Sequence, residues 1–146
     1  SRLLTMSEAL DAEERLNSFA EQWQSHGADV KATGLLFFGQ FVILIADETH
    51  AGVSGCSTDS SVRFIKSLEA AYGINLFDRT SLAFVIKEKI QVLPYAQLQY
   101  ALDNGFITPD TLYFNNLVAN KAELETKWIV PLKESWLKDR LQLVQP

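Results

Sequence analysis

The chain is poor in the residues that mark several protein classes. It has one cysteine in 146 residues, which excludes an internal disulfide framework and a cysteine-rich zinc site. Seven glycines and four prolines are too few for a collagen-like or low-complexity chain. Basic residues are outnumbered, 13 against 18 acidic, giving a net charge of −5. With no basic stripe, nucleic-acid binding lacks its electrostatic footprint. No Lys/Arg-rich amphipathic helix is present either, so a membrane-surface role is not expected. The longest apolar run, Phe41–Ala46, is far short of the ~20 residues that span a bilayer. Ser1–Leu10 shows no secretory pattern, and the expected location is the cytoplasm.

What is present is a globular composition. Hydrophobic residues make up 47% of the chain and aromatics 11%, enough to build a core and to argue against disorder. Residues 1–146 read as a single domain. The acidic excess lies in residues 1–73, whose five basic groups are Arg2, Arg15, Lys31, Arg63 and Lys66.

Periodicity sets the elements. Leu16, Phe19, Ala20 and Trp23 recur at helical spacing and predict a helix over Ser7–Gly27, with Ser7 as N-cap and Gly27 as stop. Ala32–Phe38 and Phe41–Glu48 read as strands around a Gly39–Gln40 turn. The second of these is apolar on both faces and reads as a central strand. A loop over His50–Asp59 leads into a helix from about Ser60 to Tyr72, stopped by Gly73. Leu82–Ile86 and Lys89–Leu93 form a second hairpin around Lys87–Glu88. Tyr95–Asp103 reads as a short helix with Leu98, Ala101 and Leu102 inward, and Thr111–Phe114 as a last strand. Asn120 with Glu123 is a capping-box signal for a helix over Lys121–Lys127. Lys133–Leu143 reads as a final amphipathic helix, and Trp128 and Trp136 as anchors holding the C-terminal segment to the sheet. The fold class is α+β, with a largely antiparallel sheet built from two hairpins and helices packed on it. A ferredoxin-like plait with a C-terminal helical extension is the first topology to try.

The densest polar stretch is Ser54-Gly55-Cys56-Ser57-Thr58-Asp59-Ser60-Ser61. It lies between an apolar strand and a helix, where peptide N–H groups lack partners and carry partial positive charge. Such a place can hold a small anionic metabolite or lower the pKa of a thiol. Ser54, Gly55, Cys56, Ser57, Thr58, Asp59 and Ser60 are therefore candidate ligand-binding residues, with Arg79 as a candidate anion clamp. Cys56 and His50 are the candidate catalytic pair, a nucleophile with its base. The competing reading is structural: Asp59, Ser60 and Ser61 cap the helix and Cys56 is a small buried hydrophobe. Asp47, Glu48, His50 and Asp59 are hard-metal ligand types, but their spacing matches no known carboxylate loop, so no metal site is expected. Ion pairing with Lys31 or Arg79 explains them more simply.

Two chemistries are excluded on spacing. A phosphatase-type loop needs five residues between Cys and Arg, whereas Cys56 and Arg63 enclose six. No G-x-x-x-x-G-K-[ST] occurs, so the chain is not a P-loop ATPase, and no cofactor is implied. There is no recognisable catalytic motif.

Ser54-Gly-Cys-Ser-Thr-Asp-Ser-Ser-Val62, Phe64-Ile-Lys66, Leu68-Glu69 and Leu76-Phe-Asp-Arg79 form one set of signature residues. Phe114-Asn-Asn-Leu-Val118, Lys121-Ala-Glu-Leu124, Trp128, Val130-Pro131 and Glu134-Ser-Trp136 form another. Together they resemble a small uncharacterised bacterial family whose members often carry the label "ABC transporter ATPase". The missing phosphate loop conflicts with that label. The resemblance implies a strand ahead of the first helix and brings no catalytic residues.

Function is then read from the residues. The surplus of apolar strand residues Leu35, Phe37, Phe38 and Phe41 predicts an interaction module, with a homodimer covering the free sheet face. A small anionic ligand at 52–61 is the more specific activity. The alternative is a thiol-dependent enzyme or redox sensor using Cys56.

Overall fold

A computed structural model describes residues 2–25, 31–47 and 55–143, with 24–25 and 55–57 described by backbone alone. The fold is mixed α+β, with two antiparallel sheets and helices packed on them. The chain divides into two compact units, Ser1–Phe77 and Asp78–Pro146.

The first unit opens with α1 (Met6–Ser25). Its N-cap is Thr5, not Ser7. The Thr5 hydroxyl accepts from the Glu8 amide at 3.2 Å, and the Glu8 carboxylate accepts from the Thr5 amide at 2.9 Å. This reciprocal capping box satisfies two otherwise orphaned donors, and Ser7 falls inside the first turn. Leu16 is fully buried, with Ala20 and Trp23 nearly so, which confirms the apolar stripe. Gly27 lies outside the described residues.

Strands β1 (Lys31–Phe37) and β2 (Phe41–Asp47) pair antiparallel, residue for residue, from Lys31–Asp47 to Phe37–Phe41. The turn is centred on Phe38 and Gly39, one residue earlier than Gly39–Gln40. Both have positive φ, 56° and 64°, and the Gln40 amide donates to the Phe37 carbonyl. Two successive positive φ values suit the right-handed twist of a hairpin. The Leu4 amide donates to the Gly39 carbonyl at 2.9 Å and ties the segment before α1 to this turn.

Among the described residues β2 is not a central strand: it pairs with β1 alone, and none of Phe41–Ala46 is fully buried. An apolar run reports hydrophobicity, not the number of neighbouring strands. α1 packs on one face of the hairpin, where Ala32, Leu44 and Ala46 meet Ala20 and Trp23.

Helix α2 (Gly55–Tyr72) begins five residues earlier than the Ser60 start read from sequence. Leu68 is buried, Val62 and Ile65 are half-buried, and Arg63 and Lys66 are exposed, as the periodicity requires. Gly73, at φ 62°, ends it.

The second unit holds a four-stranded sheet in the order β4-β3-β5-β6, where β3 is Ser81–Ile86, β4 Lys89–Pro94, β5 Leu112–Phe114 and β6 Ile129–Pro131. A ferredoxin-like plait would join both hairpins in one sheet; among the described residues they lie in two. The Lys87–Glu88 turn is as expected, with φ of 52° and 65°. Tyr95–Gln97 is a 3-10 turn that runs into α3 (Leu98–Asp103), and Leu98, Ala101 and Leu102 are buried. They join Phe84, Ile107, Tyr113, Leu132 and Leu137 in one core.

α4 (Lys121–Lys127) carries the expected cap, with the Asn120 side chain accepting from the Glu123 amide at 2.9 Å. The final amphipathic helix does not form. Leu132–Glu134 and Trp136–Asp139 are separate 3-10 turns, divided at Ser135, whose ψ of 172° is extended. The buried Ser135 hydroxyl donates to the Leu132 carbonyl and accepts from the Leu137 amide, closing one turn and capping the next. Both tryptophans anchor this segment as expected. Trp128 donates to Asn116 and packs edge-on to Phe114, while Trp136 donates to the Tyr113 hydroxyl and stacks on Tyr95.

Candidate functional site

The early start of α2 redraws the polar stretch. Gly55, Cys56, Ser57 and Thr58 form its first turn, so their amides are among those without helical partners. Asp59, Ser60 and Ser61 lie within the helix and do not cap it. They belong to the second turn, where a side chain cannot reach back to the first orphaned amides. The Ser61 hydroxyl instead donates to the Thr58 carbonyl at 2.6 Å, and the Ser60 hydroxyl accepts from Arg63. Thr58 and Asp59 are exposed and Ser60 is half-buried. Ser54 and His50 lie outside the described residues, as do Glu48 and His26.

Arg79 is exposed and belongs to the second unit. Its neighbour Asp78 does not depend on it for satisfaction. The Asp78 carboxylate accepts from the Thr80 hydroxyl, the Thr80 amide and the Ser81 hydroxyl, at 2.6 to 2.8 Å. These bonds hold the acid below the usual carboxylate range. Asp47 stands opposite Lys31 in the hairpin register. No group of three or more His, Cys, Asp or Glu residues among those described is placed to hold a metal. No described helix is long and apolar enough to cross a membrane.

A polar network joining α1 to α2 was missed in the sequence. Arg2 makes two parallel bonds to Glu8, each 2.9 Å, and also donates to the Tyr72 carbonyl at the end of α2. The guanidinium, with the Thr5 amide, pulls the Glu8 carboxyl down to about 2. One α-helical turn along, the Tyr72 hydroxyl donates to Asp11 at 2.5 Å, and Arg15 binds the same carboxylate oxygen at 2.8 Å. Partial burial, then the Asp11 hydrogen bond, pushes the Tyr72 phenol up to about 12. Arg15 also lies over the Tyr72 ring, 5.9 Å from its centre. Beside this network runs an open groove of about 430 Å³, lined by Asp11, Glu14, Arg15, Ser18, Phe19, Gln22 and Phe64. Phe19 and Phe64 form its floor as a parallel stack at 4.3 Å. The one usable signal was T-x-x-E at Thr5–Glu8. Nothing local pairs Asp11 with Tyr72, sixty-one residues on.

The apolar candidate is clearer. Alternation along β1 and β2 sends Thr33, Leu35, Phe37, Phe41, Ile43 and Ile45 to the hairpin face opposite α1. None is buried. The face ends at Phe38, which is 55% exposed although aromatic and held at positive φ. Its ring lies 6.2 Å from Phe37 and 6.3 Å, edge-on, from Phe41. A bulky residue in that conformation is unusual, since its Cβ crowds the backbone.

No family model, curated protein or solved structure matches the chain.

Proposed function

We propose that the protein is an intracellular interaction module that self-associates through the β1–β2 hairpin. The observation that supports this is the continuous apolar face formed by Leu35, Phe37, Phe41, Ile43 and Ile45, which is only half-buried. Water contact with such a face costs about 25 cal/mol for each Å² left exposed, and an isologous dimer removes that contact from both copies at once. Sedimentation velocity tests the reading. The wild type is expected to sediment as a dimer, and Ile43→Glu as a monomer with unchanged circular dichroism. A wild type that stays monomeric up to the highest soluble concentration refutes it.

A second reading keeps the chemistry at α2. Because the helix starts at Gly55, Cys56 belongs to the first turn, where the helix dipole favours a thiolate or a bound small anion. Iodoacetamide labelling of the native protein across pH checks it. A thiolate that titrates well below the ordinary value of about 8.5 supports a thiol-dependent role. A thiol that reacts only after unfolding removes it.

A further inference from the structure

We infer that the groove beside α1 is an interaction surface for a basic segment of a partner protein, which enters it with an arginine side chain that lies on Phe64 and binds Glu14. This surface is separate from the hairpin and does not depend on self-association.

Charge points to a basic partner. The net charge of −5 lies wholly in the first unit, where Ser1–Phe77 carries ten acidic residues against five basic ones, while the second unit carries eight of each. α1 concentrates it, with Glu8, Asp11, Glu13, Glu14 and Glu21 against Arg15 alone. Glu8 is paired with Arg2, and Asp11 with Arg15. The side chains of Glu13, Glu14 and Glu21 make no ion pair or hydrogen bond among the described residues. Of these three, Glu14 alone lines the groove. Asp11 lines it too and has an acceptor to spare. Tyr72 and Arg15 both bond to its Oδ2, and its Oδ1 takes no bond among the described residues. With Arg15 counted, the groove keeps one net negative charge.

The floor selects arginine. Phe64 stacks on Phe19, and no other ring or cation lies against it among the described residues. A guanidinium is planar and weakly hydrated, so it lies flat on an aromatic face while its N–H groups reach a carboxylate. An ammonium is more strongly hydrated and has no flat face to stack. The molecule already holds one guanidinium in this way: Arg15 binds Asp11 at 2.8 Å and lies over the Tyr72 ring. Phe64 and Glu14 repeat that combination of ring and carboxylate. The groove is open, which suits a side chain carried on a protein surface better than a small molecule, since small-molecule sites enclose their ligands. Leu10 stands four residues before Glu14 on the same side of α1 and is 63% exposed, so an apolar residue beside the arginine meets it.

The test is an amide-shift titration of the isotope-labelled protein with the blocked pentapeptide Ala-Leu-Arg-Leu-Ala, at roughly 0.1 M salt so that distant charges are screened. Saturable shifts are expected at Glu14, Ser18, Phe19 and Phe64. Glu14→Gln should weaken binding roughly tenfold and Phe64→Leu about two- to fivefold. Glu13→Gln, off the groove, should stay within about twofold. Glu14 is exposed, so Glu14→Gln should keep the wild-type circular dichroism. Replacing the peptide's arginine with lysine should also weaken it. No saturable shift, or shifts that avoid the groove, overturns the proposal. Equal losses in Glu13→Gln and Glu14→Gln overturn it as well, since they mark diffuse attraction to an acidic helix. A lysine peptide that binds equally overturns the choice of arginine. Free arginine amide that binds as tightly as the peptide overturns a protein partner in favour of a small molecule.

Discussion

The Leu16 carbonyl oxygen lies 3.0 Å from where a Cβ on Gly34 would stand, and the Leu16 Cβ lies 3.1 Å from it. The backbone of α1 thus sits directly on β1, and only glycine leaves room for it. This contact places the helix on one face of the hairpin, the face that carries Ala32, Leu44 and Ala46.

Gly34→Ala is expected to destabilise the protein by roughly 1–3 kcal/mol, the usual range for overpacking against atoms that cannot move aside. The neighbour is helix backbone, so relief requires shifting α1. Thermal unfolding followed by circular dichroism checks this, with a lower midpoint expected. An unchanged midpoint would show that the approach is looser than the geometry implies.

Glu8 links stability to acid. Its folded pKa is about 2 against an ordinary 4.5, chiefly because Arg2 binds it, with the Thr5 amide adding to the effect. A depressed carboxyl contributes stability that is complete above its unfolded pKa and is lost as pH falls through the folded one. Denaturant melts of the wild type should therefore weaken between pH 4.5 and 2. Glu8→Gln should be less stable at neutral pH and flatter across that window.

Tyr72 gives the opposite limb. Its phenol is raised to about 12 from 10, by partial burial and then by donation to Asp11. A raised group stabilises the fold below its unfolded pKa and loses that contribution as pH climbs through the folded value. Absorbance titration near 295 nm should show a Tyr72 step late, near pH 12, beside that of Tyr113, whose phenol burial also raises. Tyr72→Phe should remove the Tyr72 step and flatten stability between pH 10 and 12.

Trp23 is buried, and its indole N–H has no hydrogen-bond partner among the described residues. An unsatisfied buried donor costs about 1–3 kcal/mol, while removing part of a large ring leaves a cavity of comparable cost. Trp23→Phe should therefore change stability by no more than about 1 kcal/mol, as the lost ring volume and the removed donor offset each other. Trp23→Ala should cost about 3–5 kcal/mol. Equilibrium denaturation distinguishes these outcomes. A large loss in Trp23→Phe would mean that the donor is satisfied in solution.

What the sequence determined by itself was whatever depends on neighbours along the chain. The Leu16–Trp23 stripe placed α1, Lys87–Glu88 placed a turn, and Asn120 with Glu123 placed α4, because periodicity and capping act within one or two turns. It also made the hairpin's apolar surplus legible through Leu35, Phe37 and Phe41. Polar density suggested a start for α2 near Ser60, but capping residues also occur inside helices, bonded to carbonyls of their own turn, as Ser61 is to Thr58. Ser135 broke the last helical pattern, since its hydroxyl closes one turn and caps the next. Only the tertiary structure decided that β2 pairs with β1, that Tyr72 meets Asp11, and that Gly34 lies under Leu16. Those are contacts between distant parts of the chain, fixed by packing, and no local pattern encodes which surfaces will meet.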